Sequence, residues 1–380
     1  MSPTPITSRA ANTGAARVAL VHDWLTGMRG GERVLEALCE LLPAAKIFTL
    51  LHNQGSVSSR IETFEPNTSF IQHLPLSRTH YRHYLPLFPT AIEQFNLDEF
   101  DLIVSTSHCV AKAAIPVGRA KHLCYCFTPM RYAWDQLDAY FGPKRVGTLK
   151  YRLYRSIMRR IARWDVQTAG RVDEFVAISD HVAKRIDQYY ERPSQVIYPP
   201  VDTDFFTPSN SAPDDYFLIV SALVPYKRVD LAIAAAEQAH VPLRIIGRGP
   251  ESTRLRAQGG PNVTFVEHCS DFELRDFYRN CRAFLQTGEE DFGIAPVEAQ
   301  ACGRPVIALA RGGACETVET GVTGYLVDED SPRAFADAIN RLDNDPFDQT
   351  ILHRSASRFS RTRFMNEIRS KIESVIVETP

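Results

Sequence analysis

No run of about 18 or more apolar residues occurs in the 380-residue chain, so nothing in it reads as a membrane span and any membrane contact is peripheral. The eight cysteines, at 39, 109, 124, 126, 269, 281, 302 and 315, include no pair at CxxC spacing. Most lie inside apolar runs, which argues against a zinc site and for reduced core residues of a cytosolic protein. Cys124 and Cys126 fall on one side of a strand, as packing residues. Charge of neither sign is in excess: the net is −2, and bulk electrostatics points to no nucleic-acid partner. Residues 1–16, rich in Ser, Thr, Pro and Ala, lack the apolar centre of a signal peptide and read as a disordered tail. What remains is ordinary globular material, 44% hydrophobic and 23% charged, long enough for two domains.

Strand and helix patterns alternate along the chain. In the first half RVALVHD, KIFTLLH, DLIVSTS, HLCYCF, EFVAIS and QVIYPPV read as strands. Between the first two, Gly27, Gly30 and Gly31 form a turn before a helix striped by Val34, Leu35, Leu38, Leu41 and Leu42. Strand, glycine turn and helix in this order open a doubly wound α/β fold. Pro199, Pro200 and Pro208 then stiffen the chain, and a domain boundary is expected there. The second half repeats the alternation with YFLIVSAL, LRIIGRG, VTFVE, AFLQT and PVIALA as strands, and FSRTRFMNEIRSKIESVI as a last helix. The expected division is 1–16 tail, 17–200 first domain with 360–380, and 201–359 second domain.

Chemistry concentrates in residues 283–315, AFLQTGEEDFGIAPVEAQACGRPVIALARGGAC. A helix beginning after Gly293, with Pro296 near its start, presents free N–H groups and the positive end of its dipole, which suits a phosphate. Glu290 and Glu298, with seven residues between them, stand on either side of that helix start and can accept hydrogen bonds from sugar hydroxyls. Lys227 and Arg228, in VPYKR at a strand's carboxyl end, can neutralise a diphosphate or stand as a solvated surface pair.

The string EEDFGIAPVEAQACGRPVIA closely resembles the donor-site signature of retaining glycosyltransferases of family 4, over roughly residues 17–370. TPMRYAWD resembles a subgroup using GDP-mannose-like donors, and its Arg131 is expected on the acceptor or membrane side. The resemblance implies the GT-B architecture: two Rossmann-like doubly wound domains facing a cleft, with the C-terminal helix crossing back to the first. It implies that Glu290 contacts hydroxyls of the transferred sugar and Glu298 those of the ribose. The amides of Asp291, Phe292, Gly293, Ile294 and Ala295 would face sugar and diphosphate. Gly30 and Gly31 would let the phosphates approach, and the loop holding His268 would hold the base. Two positions depart from the family pattern: Phe127 stands where many members carry the histidine of an HxP motif, and Ala222 where an arginine usually partners the lysine matched by Lys227. His108, at the end of the neighbouring strand, is the substitute imidazole, and Arg228 the substitute cation.

By resemblance the reaction moves a hexose, with mannose from GDP-mannose favoured, to a lipid-linked oligosaccharide in exopolysaccharide or lipopolysaccharide synthesis. No metal is expected, because no carboxylate cluster of the DxD kind is positioned for one. A GT-B hydrolase or epimerase, or a non-catalytic nucleotide-sugar binder, are the alternatives. Two stretches suit the inner face of a membrane, or else a loop packed on its own domain in the first case and a domain helix with a solvated basic face in the second. One is the irregular region around Arg78, Tyr81 and Arg82. The other is an amphipathic helix over 144–164, in which Arg152, Arg155 and Arg159 form a basic stripe beside Leu149, Leu153, Ile157 and Ile161.

Overall fold

The computed structural model describes residues 16–134, 137, 142, 143, 147–342 and 345–377. Residues 1–15 of the expected tail, 144–146 at the start of the expected basic helix and much of the stretch after Trp134 lie outside the described residues. The chain packs as two units, Met1–Pro200 with Phe364–Pro380, and Val201–Arg363.

The first unit is built on a parallel sheet of order β3-β2-β1-β4-β5-β6-β7. Its strands are β1 Val18–His22, β2 Lys46–Thr49, β3 Asn67–Thr68, β4 Leu102–Ser107, β5 Lys121–Cys126, β6 Glu174–Ala177 and β7 Ser194–Val196. The central strands β1 and β4 are buried at every position, as in a sheet covered on both faces. Helix Gly30–Leu41 begins at the two glycines, so these are its first residues rather than part of a turn; Gly27 alone has positive φ there. The region expected to be irregular is a run of short helical turns from Phe70 to Glu93.

Helix Thr148–Ala169 is anchored by its C-terminal half. Buried Asp165 accepts hydrogen bonds from Tyr190 Oη and Trp134 Nε1, both at 2.9 Å. Buried Lys112 donates to the Asp165 carbonyl at 2.6 Å and to Thr168 Oγ1 at 3.0 Å. Such a pair tolerates burial because each charge is met by the other and by hydrogen bonds. The N-terminal half is different: Leu149 and Leu153 are 82% and 61% exposed. The expected apolar stripe therefore divides, with Ile161 in the core and the two leucines in solvent.

The last helix, Arg361–Val377, buries Phe364, Met365, Ile368, Ile372 and Val375. From Phe364 onward it belongs to the first unit, where Phe364 packs edge-on against Tyr125 at 5.7 Å and Lys371 pairs with Glu174 at 3.0 Å. Each large apolar side chain buried there contributes about 1.5–3 kcal/mol.

The second unit holds a parallel sheet of order β10-β9-β8-β11-β12-β13. Its strands are β8 Phe217–Val220, β9 Leu243–Ile246, β10 Val263–Val266, β11 Ala283–Gln286, β12 Val306–Leu309 and β13 Gly324–Val327. Strand β13 is absent from the sequence reading, as are helices Ser252–Gln258, Pro332–Arg341 and Gln349–Ser357. β13 has four residues and starts on a glycine whose Cβ would lie 1.8 Å from the Val306 carbonyl oxygen, so neither length nor composition marks it.

Two buried histidines of the first unit contribute to its acid sensitivity. Burial lowers both His22 and His122 to about 4. His22 Nδ1 is 2.7 Å from Thr106 Oγ1, and His122 Nε2 is 2.7 Å from Ser105 Oγ. Between the ordinary value of 6.5 and about 4 the unfolded chain binds protons that the folded chain does not, so stability falls as pH falls through that window. The loss amounts to about 3 kcal/mol for each imidazole. Urea titrations at the two ends of the window should give the lower midpoint at the acid end; equal midpoints would contradict the two buried neutral imidazoles.

Candidate active site

In the second sheet the winding reverses between β8 and β11, and ligands of doubly wound sheets bind at the carboxyl ends of the strands beside such a reversal. The segment after β8 turns through Pro225–Lys227; that after β11 runs from Thr287 to Gly293 and enters helix Ile294–Ala301. Glycine lets these segments meet backbone to backbone. A Cβ on Gly288 would lie 2.5 Å from the Tyr226 carbonyl oxygen and 2.6 Å from Lys227 Cα. A Cβ on Gly312 would lie 2.2 Å from the Glu290 carbonyl oxygen, and one on Gly313 2.4 Å from Phe292 Cα. Hydrogen bonds lock the contact: Thr287 Oγ1 donates to the Arg228 carbonyl at 2.8 Å, and Gly313 N–H to the Glu290 carbonyl at 2.9 Å.

The result brings Lys227 and Glu290 together. Their ammonium and carboxylate form an ion pair, with 14% and 23% of the two side chains exposed. Beside it the helix starts at Gly293, whose φ of +89° requires glycine and which offers no side chain as a cap. The amides of Ile294 and Ala295 have no intrahelical acceptor at that position, and Pro296 has no N–H to satisfy. Asp291, Ile294 and Ala295 are half-buried, whereas the Phe292 ring is buried against Phe359, 5.2 Å between centroids. Phe292 thus contributes backbone, not side chain.

Glu298 is buried in the same helix and accepts the Tyr278 hydroxyl at 2.8 Å. Burial, reinforced by this carboxylate, pushes the Tyr278 phenol well above its ordinary value, so Tyr278 remains a donor. Tyr278 escapes sequence reading because the DFYRN pattern marks it only as a helix residue.

Arg228 departs from expectation. It sits in the left-handed region at φ +50°, and its guanidinium grips Asp330 at 2.6 and 2.8 Å, with Asp230 at 3.4 Å. The expected cationic pair is split: Lys227 faces Glu290, while Arg228 is neutralised by carboxylates. Ala222 is exposed, and exposed His268 lies with Nε2 3.3 Å from Arg248 Nη1.

The first sheet reverses between β1 and β4. Directly after β1, fully buried Asp23 accepts the backbone N–H groups of His108, Cys109, Val110 and Ala111 at 2.7–2.9 Å. His108 Nδ1 lies 3.1 Å from Asp23 Oδ2. Burial alone would raise this carboxyl, but the His108 charge and hydrogen bonds prevail and hold it at about 2. Phe127 follows β5, and its ring sits 3.3 Å from where a Cβ on Gly31 would be.

The residues expected to meet an acceptor or membrane divide. Tyr81 is a correction: it is buried, with its ring 5.2 Å from Trp24, because the turn carrying it packs into the first core. Arg78 and Arg82 are exposed, Arg82 lying 4.7 Å over the Tyr81 ring, and Arg131 is half-buried. Arg152, Arg155 and Arg159 are exposed on their helix.

Two parallel, doubly wound sheets with these loops define the GT-B class. Solved structures share this fold: Anabaena Alr3699/HepE in complex with UDP-glucose has TM-score 0.69 at 20% identity, covering 94% of this chain and 99% of that one. The sucrose-phosphate synthase of Thermosynechococcus elongatus has TM-score 0.68 at 17% identity, covering 96% and 100%. Residues 28–205 match the model of Glycosyltransferase Family 4, and residues 201–362 that of Glycosyl transferases group 1. Both matches are to glycosyltransferase families, and together they run from residue 28 to residue 362 of a chain with the GT-B fold. Among named relatives, D-inositol 3-phosphate glycosyltransferase 1 of Catenulispora acidiphila is 30% identical over 50% of this chain and 50% of its own. The D-inositol 3-phosphate glycosyltransferase of Mycobacterium tuberculosis is 29% identical over 46% and 42%. The chain spans about half the length of the relatives it matches.

Tyr278→Phe removes a hydrogen bond to a buried carboxylate and should lower unfolding free energy by about 1.5–3 kcal/mol. Chemical denaturation checks this; an unchanged midpoint would show that Glu298 does not depend on the phenol.

Proposed function

We propose that the protein transfers a hexose, with retention, from a nucleotide diphosphate-sugar to a hydroxyl of a lipid-linked oligosaccharide. The observation that carries this reading is the Lys227–Glu290 pair at the reversal of the second sheet, beside an uncapped helix start. The helix end and Lys227 match a diphosphate; Glu290 and Glu298 match hydroxyls of sugar and ribose. As the glycosidic bond to the diphosphate breaks, charge grows on the leaving oxygen, and Lys227 with the helix amides stabilises it. The leaving phosphate takes the acceptor's proton on the same face. This arrangement calls for no metal.

GDP-mannose is the proposed donor, on the strength of TPMRYAWD. The relatives named for inositol phosphate and the structure solved with UDP-glucose support a sugar nucleotide in general. Attachment to an anionic membrane surface, on the cytoplasmic side where sugar nucleotides are supplied, is supported by exposed Leu149 and Leu153 next to exposed Arg152, Arg155 and Arg159. Among the described residues no helix is long and apolar enough to cross a membrane.

Incubation with GDP-mannose, with and without membrane lipid extract, should give lipid-dependent release of GDP. Release that ignores lipid would indicate hydrolysis instead. Glu290→Ala should abolish transfer with the melting curve retained; near-normal turnover would remove Glu290 from the site. Replacing Arg152, Arg155 and Arg159 by Glu should release the protein from vesicles of anionic lipid, and unchanged sedimentation with those vesicles would end the membrane-helix reading.

A further inference from the structure

Helix Thr148–Ala169 carries six cations, Lys150, Arg152, Arg155, Arg159, Arg160 and Arg163, and one acid, Asp165, in a chain whose net charge is −2. The acid is buried and paired with Lys112 at 3.1 Å, so it neutralises none of the six. Helix stability does not account for the row. Arg155 and Arg159, and Arg159 and Arg163, stand four residues apart; Arg152 and Arg155, and Arg160 and Arg163, stand three apart. Like charges at these spacings repel one another on a helix. The first turn holds no acid, and cations near a helix start oppose its dipole. An anion from outside the chain would offset both penalties.

One part of the row has a shape. Arg160 and Arg163 line a cleft of about 550 Å³ together with Ser156, Trp164 and Gln167. It lies on the anchored half of the helix, where Met158, Ile161, Asp165 and Thr168 are buried. The Trp164 indole is held by its N–H, which donates to Glu93 at 2.9 Å. Glu93 also pairs with Arg171 at 2.8 Å, so its charge is met by a cation of its own. Arg163 Nε donates to the Arg159 carbonyl at 3.4 Å, which lays the side chain along its helix. Among the described residues no carboxylate pairs with Arg160 or Arg163. Two guanidinium forks with a hydroxyl and an amide beside them fit a phosphate. Each fork takes two oxygens, and a phosphomonoester offers three terminal oxygens to share, where a diester offers two.

The same face says where that phosphate comes from. Leu149, Leu153, Ser156, Arg160, Arg163 and Gln167 recur at alternating steps of four and three residues and so share one side of the helix. Both leucines are exposed. From Leu153 to Arg160 is about 10 Å along the axis at a rise of about 1.5 Å per residue, comparable with the depth of a bilayer's headgroup layer.

We propose that the cleft between Arg160 and Arg163 binds the phosphomonoester of a lipid headgroup, while Leu149 and Leu153 enter the bilayer beside it. The proposal rests on attachment to an anionic membrane and not on the donor sugar or the reaction.

Flotation of the full chain with phosphatidylcholine vesicles tests it. The vesicles contain either phosphatidic acid, a monoester, or phosphatidylglycerol, a diester, at matched zeta potential. The wild type partitions on the order of tenfold more strongly to phosphatidic acid. Arg160 and Arg163 are exposed, and the double variant Arg160→Lys, Arg163→Lys keeps both charges while removing both forks. It therefore binds the two vesicle types alike, at the wild-type level for phosphatidylglycerol. A basic face without a shaped site would show no such loss. Wild-type partition within twofold between the two lipids, or a preference that survives in the lysine variant, would overturn the phosphate site and leave membrane attachment standing. Inorganic phosphate bound by the wild type in calorimetry, with no preference between vesicles, would assign the cleft to a soluble ligand and overturn the lipid headgroup. Failure to float with either vesicle would overturn the attachment and this proposal with it.

Discussion

The candidate donor site depends on chains meeting without side chains between them. Gly288 lies against Tyr226 and Lys227, and Gly312 and Gly313 against Glu290 and Phe292, at separations where a Cβ would strike backbone. Only because these three positions are bare can the loop after β11 be clamped between those after β8 and β12. That clamp decides which way Glu290 and the helix start face. Side-chain contacts adjust under substitution, but a backbone contact of this kind does not, so the geometry is built into the main chain.

Both sheets use their reversal in the same way. Strands diverging in winding leave room at their carboxyl ends, and each crevice holds a charged side chain that the surrounding loops neutralise. In the second unit a lysine and a glutamate answer each other. In the first, backbone amides answer an aspartate, and a histidine is added. Arg228 shows the limit of reasoning from adjacency: next to Lys227 in the chain, it occupies a left-handed turn that directs it to Asp330.

Alternation of apolar runs with helical stripes made most strands of both Rossmann-like sheets legible, since buried parallel strands are continuously apolar, but not the short β3 and β13. The loop and the start of helix Ile294–Ala301 were marked by the string EEDFGIAPVEAQACGRPVIA as a whole, since two glutamates at this spacing are common by chance. Several side-chain placements were not. Asp23 ends an apolar strand, and its partners lie about 85 positions onward, so no local pattern marks it. Tyr278 meets Glu298 only through packing of two helices. Tyr81 sits among basic residues in an apparently solvated stretch, yet its turn folds the ring inward against Trp24.

The first unit is not continuous in the chain. Phe364, Met365, Ile368, Ile372 and Val375, which fill its core, follow the entire second unit in sequence. On the ribosome, the amino-terminal sheet therefore emerges with an apolar face still uncovered and stays so until the last helix is synthesised. Any chaperone engaging the nascent protein would find its target in that interval, while the second unit, contiguous from Val201 to Arg363, is free to fold first.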